Sequence, residues 1–100
     1  MTERNLVLGD FSDKIGDEFV ISEDGTPPIA FTLAETELLS NWNAQVVSRP
    51  PFSLIFAAKT MQGLPQRLYQ LAHSKLGLIG LFLVPVGRDE RGFLYQALFN

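Results

Sequence analysis

Apolar and polar residues alternate along most of this chain with a period of two. Across residues 17–23, Phe19 and Ile21 share one face while Glu18, Val20 and Ser22 share the other, which predicts a strand. Residues 29–39 continue with Phe31 and Leu33, but Glu35 and Glu37 then fall on the same face, so the inward side changes near Ala34. A bulge or bend in a long strand makes such a change. A helical turn over 34–39 is the alternative, since Ala, Glu and Leu favour helix. Residues 52–58 set Phe52, Leu54 and Phe56 against Ser53 and Ile55. Residues 66–73 set Tyr69, Leu71 and His73 against Leu68, Gln70 and Ala72. The last quarter is the most apolar: residues 78–86 and 93–99 predict two strands joined by the charged link 87–92.

Turn chemistry separates these segments. Asp24-Gly25 precedes Pro27-Pro28, Gln62-Gly63-Leu64-Pro65 follows the middle strand, and Ser74-Lys75-Leu76-Gly77 precedes the closing pair. Residues 41–51 form the longest irregular stretch, and Trp42 within it is expected to fold back as a lid on the core. Only the N-terminus has a different period. Leu8, Phe11 and Ile15 lie three and four apart, which predicts a short helix with Asp10 and Asp13 in its early turns and Gly16 at its stop. The sum is a mainly β chain: a short N-terminal helix, then five or six strands in a small antiparallel barrel or roll. The order of elements matches the Sm-like version of the SH3-type barrel.

Composition narrows the class. One hundred residues, 46% of them apolar, suit one domain spanning 1–100, with no internal repeat. The absence of cysteine excludes disulfides, thiolate metal sites and cysteine nucleophiles, and fits a reducing cytoplasm. The first residues lack the basic and apolar regions of a signal peptide. The longest apolar run, 76–86, is about half a membrane span and is broken by glycines and Pro85. A cytoplasmic protein without a membrane segment is expected. Charge is segregated: residues 1–46 carry two basic side chains against nine acidic ones, a net of −7, and residues 47–100 carry six against two, a net of +4. That polarity would favour head-to-tail contacts between copies or steer an acidic partner to one side.

A set of motifs runs through nearly the whole chain. Leu6, Phe11, Ile15-Gly16 and Phe19 come first, then Pro51-Phe52-Ser53-Leu54-Ile55-Phe56. Leu64-Pro65-Gln66, Tyr69, His73 and Leu76-Gly77 follow, then residues 81–87 reading LFLVPVG, and finally Tyr95, Ala97 and Phe99-Asn100. In these the chain resembles a little-characterised family of bacterial proteins and domains of about this length. The family has no established activity, so the resemblance implies a compact domain and no catalytic residue. This chain departs from it around Trp42, and at Val7, where the family tends to have a helix-capping Thr.

Residue chemistry points away from catalysis. His73 is the only histidine, and its neighbour Ser74 lies on a predicted turn without the spacing of a triad. Its ring is expected to be tied to backbone or packed beside Tyr69. Asp10, Asp13 and Asp17 lack calcium-loop spacing, and no glycine-rich phosphate loop is present. No catalytic residue, cofactor or metal is therefore expected.

Two non-enzymatic roles remain. The last two strands carry apolar residues on both faces, among them Leu81, Leu83, Leu94 and Leu98, whereas a small barrel buries one face. These four and Trp42 are the candidate interface of a self-associating interaction or structural module. The alternative is an Sm-like RNA-binding protein using Arg49, Lys59, Arg67 and Lys75 for phosphate and Tyr69 and His73 for stacking. Against it stand the acidic balance of the chain and the lack of any basic run.

Overall fold

The computed structural model describes residues 6–39 and 51–99, and within them six antiparallel strands close into a ring. They are β1 (Glu18–Ile21), β2 (Ala30–Leu38), β3 (Phe52–Ala58), β4 (Arg67–His73), β5 (Gly77–Asp89) and β6 (Gly92–Phe99). The order around the ring is β1-β2-β3-β6-β5-β4, with β4 returning to β1. The mainly β, antiparallel expectation holds, with six strands.

The ring consists of two three-stranded meanders joined along two seams. One seam pairs β1 with β4 through Val20·Ala72 and Ile21·Leu71. The other pairs β3 with β6 from Phe52·Phe99 to Ala58·Phe93. Each meander carries one irregularity, in its middle strand against its third: between Leu33 and Glu35 in β2, and between Pro85 and Gly87 in β5. The first is the face change expected near Ala34. It turns the exposed Glu35 and Glu37 away from an interior that Phe31 and Leu33 fill, so no helical turn forms over 34–38.

Alternation places the core. Phe19 and Ile21 of β1, Tyr69, Leu71 and His73 of β4, and Ile79, Leu81 and Leu83 of β5 all point inward and are buried. Aromatic rings fill much of the interior, with Phe31 edge-on to Tyr95 at 5.2 Å and Phe52 stacked on Phe99 at 4.5 Å. Ser53 points outward as expected but is buried too, paired with Glu37 on one side and Leu98 on the other.

Two expectations are corrected. The N-terminal helix is a single 3₁₀ turn, Leu8–Asp10, followed by hydrogen-bonded turns at Lys14 and Asp17. Gly9, Asp10, Ser12 and Asp13 are poor helix formers, and of the predicted face only Phe11 is buried, against Phe19, Phe52 and Phe99. Ile15 is exposed, and Gly16 has the left-handed backbone expected of a stop, φ 96°. The charged link 87–92 is mostly strand: Gly87, Arg88 and Asp89 pair with Leu94, Phe93 and Gly92, leaving Glu90 and Arg91 as the turn. Gly92 at φ 118° admits so tight a reversal, and the Asp89 carboxylate accepts the Arg91 N–H at 2.8 Å.

Candidate interaction surface

The predicted site residues separate once the strands are in register. Leu81 and Leu83 lie inside the ring and are core residues, not surface ones, because odd-numbered positions of β5 face inward along 79–83. Leu94 is half-buried and Leu98 is exposed. Trp42 and Arg49 lie outside the described residues.

The outer face of β4, β5 and β6 carries exposed apolar side chains. Leu68, Leu78, Phe82, Val86 and Leu98 are each 50–56% exposed. Register makes three of them one patch: Leu68 pairs with Phe82, Gln70 with Gly80 and Ala72 with Leu78 on the outer surface of the β4–β5 hairpin. Gly80 leaves a recess in the middle that the Gln70 side chain covers, its amide nitrogen 3.1 Å from where a Cβ would stand. Two apolar pairs thus flank one amide. Leu68 and Phe82 needed no new signal, since the alternation of residues 66–73 already put Leu68 opposite the buried Tyr69.

Basic and aromatic candidates for nucleic-acid contact are largely engaged elsewhere. Arg67 donates to Glu23 from both terminal nitrogens, at 2.8 and 3.3 Å, and its guanidinium lies 4.0 Å over the Tyr69 ring. Tyr69 is buried, its hydroxyl donates to the Pro65 carbonyl, and desolvation raises its pKa. Neither Tyr69 nor His73 presents a ring face to which a base can stack. Lys59 and Lys75 are exposed. Lys59 lines a shallow groove of about 380 Å³ with Glu18, Thr32, Thr60 and Arg91.

His73 is held at three points. Its Nδ1 accepts the backbone N–H groups of Lys75 and Leu76 at 3.0 and 3.1 Å, so the proton sits on Nε2, which donates to Asp17 Oδ2 at 2.8 Å. Its ring packs 4.5 Å from Phe19, where packing beside Tyr69 was the other expectation. Both ring nitrogens are hydrogen-bonded within the fold. Among the described residues, no group of three or more His, Cys, Asp or Glu side chains is arranged to hold a metal ion, and no helix is long and apolar enough to cross a membrane.

Two ion pairs join the acidic half of the chain to the basic half. Glu23 from the acidic half meets Arg67 at the β1–β4 seam, and Glu35 of β2 meets Arg91 at the β5–β6 turn at 3.0 Å. Arg91 also holds Asp89 at 2.7 Å, and that bond lowers the Asp89 pKa. The Arg67 hydrogen bond, with the Gln70 N–H second, takes the Glu23 carboxyl down to about 2. Sequence reading missed these partners, although opposite charge in the two halves was the available signal.

A family model described as a domain of unknown function (DUF6916) matches residues 6–99. The chain belongs to the DUF6916 family. No curated protein matches it, and no solved structure does. In this DUF6916 domain the motifs singled out in the sequence sort by physical role. Leu64-Pro65 is pinned by two buried tyrosines, Tyr69 bonding the Pro65 carbonyl and the Tyr95 hydroxyl accepting the Leu64 N–H at 2.7 Å. His73 and the Leu76 N–H fix the turn into β5, and PFSLIF supplies the inward Phe52, Leu54 and Phe56.

Proposed function

We infer that this domain is a non-enzymatic interaction or structural module that self-associates. The observation that carries it is the outer face of the β4–β5 hairpin, where Leu68, Leu78 and Phe82 stand half exposed in two cross-strand pairs on either side of Gln70·Gly80. Clustered apolar area of this kind marks an association surface more than a solvated one. Of the leucines expected at the interface, Leu98 belongs to this surface with Leu68, Leu78 and Phe82, whereas Leu81 and Leu83 are core. A bacterial, cytoplasmic setting is part of the same proposal, and the cysteine-free sequence fits it. Sedimentation velocity tests the reading: a dimer or larger species is expected, and a monomer at tens of micromolar overturns it.

An Sm-like RNA-binding role has less support. Its stacking residues Tyr69 and His73 are buried, Arg67 is committed to Glu23, and β3 neighbours β6 where a simple sequential ring would have β4. Filter binding to single-stranded RNA over a salt series would revive it if binding weakened steeply with salt.

A further inference from the structure

The two closing strands part company half-way along. Pairing between β5 and β6 runs from Asp89·Gly92 to Val84·Gln96 and stops there. Two residues further, the same register would set Phe82 against Leu98, yet no pairing forms, and both side chains are half exposed. From Gly77 to Leu83, β5 is therefore paired along its β4 side alone among the described residues.

Apart from residues 97–99 of β6, which face the same gap, the other strand edges left by the ring are guarded. Beyond the end of β1, the backbone of Gln70 on β4 is occupied, its carbonyl accepting the Ser22 N–H at 2.8 Å and its N–H donating to the Glu23 carboxylate at 2.7 Å. On β2, the part beyond Leu33 carries the exposed carboxylates of Glu35 and Glu37. The far half of β5, past its pairing with β4, carries Pro85, a bulge, Arg88 and Asp89. Charges, proline and bulges are the devices that stop edge-to-edge pairing. The stretch 77–83 has none of them, and no residue of 76–87 is charged.

We propose that this open edge of β5 pairs antiparallel with the same edge of a second copy, across a two-fold axis at Gly80. The proposal rests on the self-association inferred above and specifies its geometry. Centred on Gly80, the segment is complementary to itself: each Leu78 stands opposite the partner copy's Phe82 on the outer surface, and each Ile79 opposite Leu81 on the inner one. Gly80 meets Gly80, where side chains would crowd least. The nearest charges, Lys75 and Arg88, fall outside the paired segment, so no like charges face each other. An isologous contact of this kind closes at two copies. Extending the β5 edge also covers Leu78 and Phe82 and brings the second copy against Leu98.

Cysteine cross-linking tests the geometry, because the native chain has no cysteine. Directly opposed residues of an antiparallel pair have Cα atoms about 4.5–5.5 Å apart, within disulfide reach. Gly80→Cys is expected to oxidise to a covalent dimer at least tenfold faster than Ser12→Cys, an exposed control on the N-terminal turn. Phe82→Lys is expected to give a folded monomer by sedimentation and circular dichroism. On the unmodified protein, amide exchange over 78–82 is expected to slow at least tenfold between dilute and concentrated samples. A dimer in which Gly80→Cys cross-links no faster than the control, with 78–82 exchange independent of concentration, overturns the edge pairing and leaves self-association standing. An unmodified chain that stays monomeric overturns both.

Discussion

Arg67 holds the Glu23 carboxylate with two nitrogens, Nη2 to Oε1 at 2.8 Å and Nη1 to Oε2 at 3.3 Å, across the seam that joins the two meanders. Glu23 also accepts the Gln70 N–H and the Thr26 hydroxyl, so one side chain ties the end of β1 to β4. Its pKa falls from 4.5 to about 2 on folding. A depressed carboxylate stabilises the fold fully above its unfolded value and loses that contribution as pH drops through the folded one. Stability should therefore decline between about pH 5 and pH 2, and Glu23→Gln should be less stable at neutral pH with a shallower acid decline. Urea midpoints of both proteins over that range check it. Parallel curves would mean that Glu23 contributes nothing specific.

Gly92 is set for its place. It has φ 118°, and a Cβ there would lie 2.5 Å from the Ala58 carbonyl oxygen across the β3–β6 seam. Gly92→Ala is expected to destabilise by about 1–3 kcal/mol through backbone strain and displacement. Gly87, with open space around it and no positive φ, is the contrast: Gly87→Ala should stay within about 0.5 kcal/mol. Thermal melts of the pair give the comparison.

The tyrosine clamp on Leu64-Pro65 should be measurable by deletion of single oxygens. Tyr95→Phe keeps the ring that packs against Phe31 and removes the acceptor for the Leu64 N–H. A loss of about 1 kcal/mol is expected. Tyr69→Phe removes the donor to Pro65 and acts on the same turn. The two losses should therefore not add, and a double-mutant cycle by denaturant unfolding reads the coupling.

Val7 caps the first turn only in part. Its N–H donates to the Asp10 carboxylate at 2.8 Å and its carbonyl accepts the Asp10 N–H at 2.9 Å, but its side chain has no acceptor to offer the Gly9 N–H. Val7→Thr supplies that oxygen and should stabilise the fold by about 0.5–1 kcal/mol. An unchanged melting temperature would show that the turn is held by Phe11 packing alone.

Much of the strand content was legible because β1, β2 and β4 carry polar residues on one face. Tyr69, Leu71 and His73 alternate with Leu68, Gln70 and Ala72, and even the β2 bulge announced itself when Glu35 and Glu37 arrived on the apolar side. In β5 that signal fails. Leu78, Ile79, Leu81, Phe82 and Leu83 are apolar on both faces, so only the register Leu68·Phe82 reveals that Leu81 and Leu83 point inward. The bulge at Val86 falls among uncharged residues and leaves no trace in the pattern. Helical spacing of Leu8, Phe11 and Ile15 misled for a different reason: one buried aromatic anchors the segment, and its weak helix formers do not extend the turn. Charge segregation was visible, but its partners were not, since periodicity is a local signal and Glu23–Arg67 joins distant segments.

Ring closure has a kinetic side. The β2–β3, β4–β5 and β5–β6 contacts are between chain neighbours, whereas Val20 must find Ala72 and Phe52 must find Phe99. Closing such long loops costs entropy before any contact returns it. We expect the two meanders to take shape first and the seams to zip late. Mutations at Val20 or Ala72 should then accelerate unfolding and barely slow folding, a φ-value near zero, whereas Leu81→Ala, opposite Tyr69 in the β4–β5 hairpin and outside both seams, should slow folding. Until the seams zip, the edges of β1, β3, β4 and β6 stay open beside that of β5, so the time a young chain spends as two half-rings sets its exposure to mispairing with its neighbours.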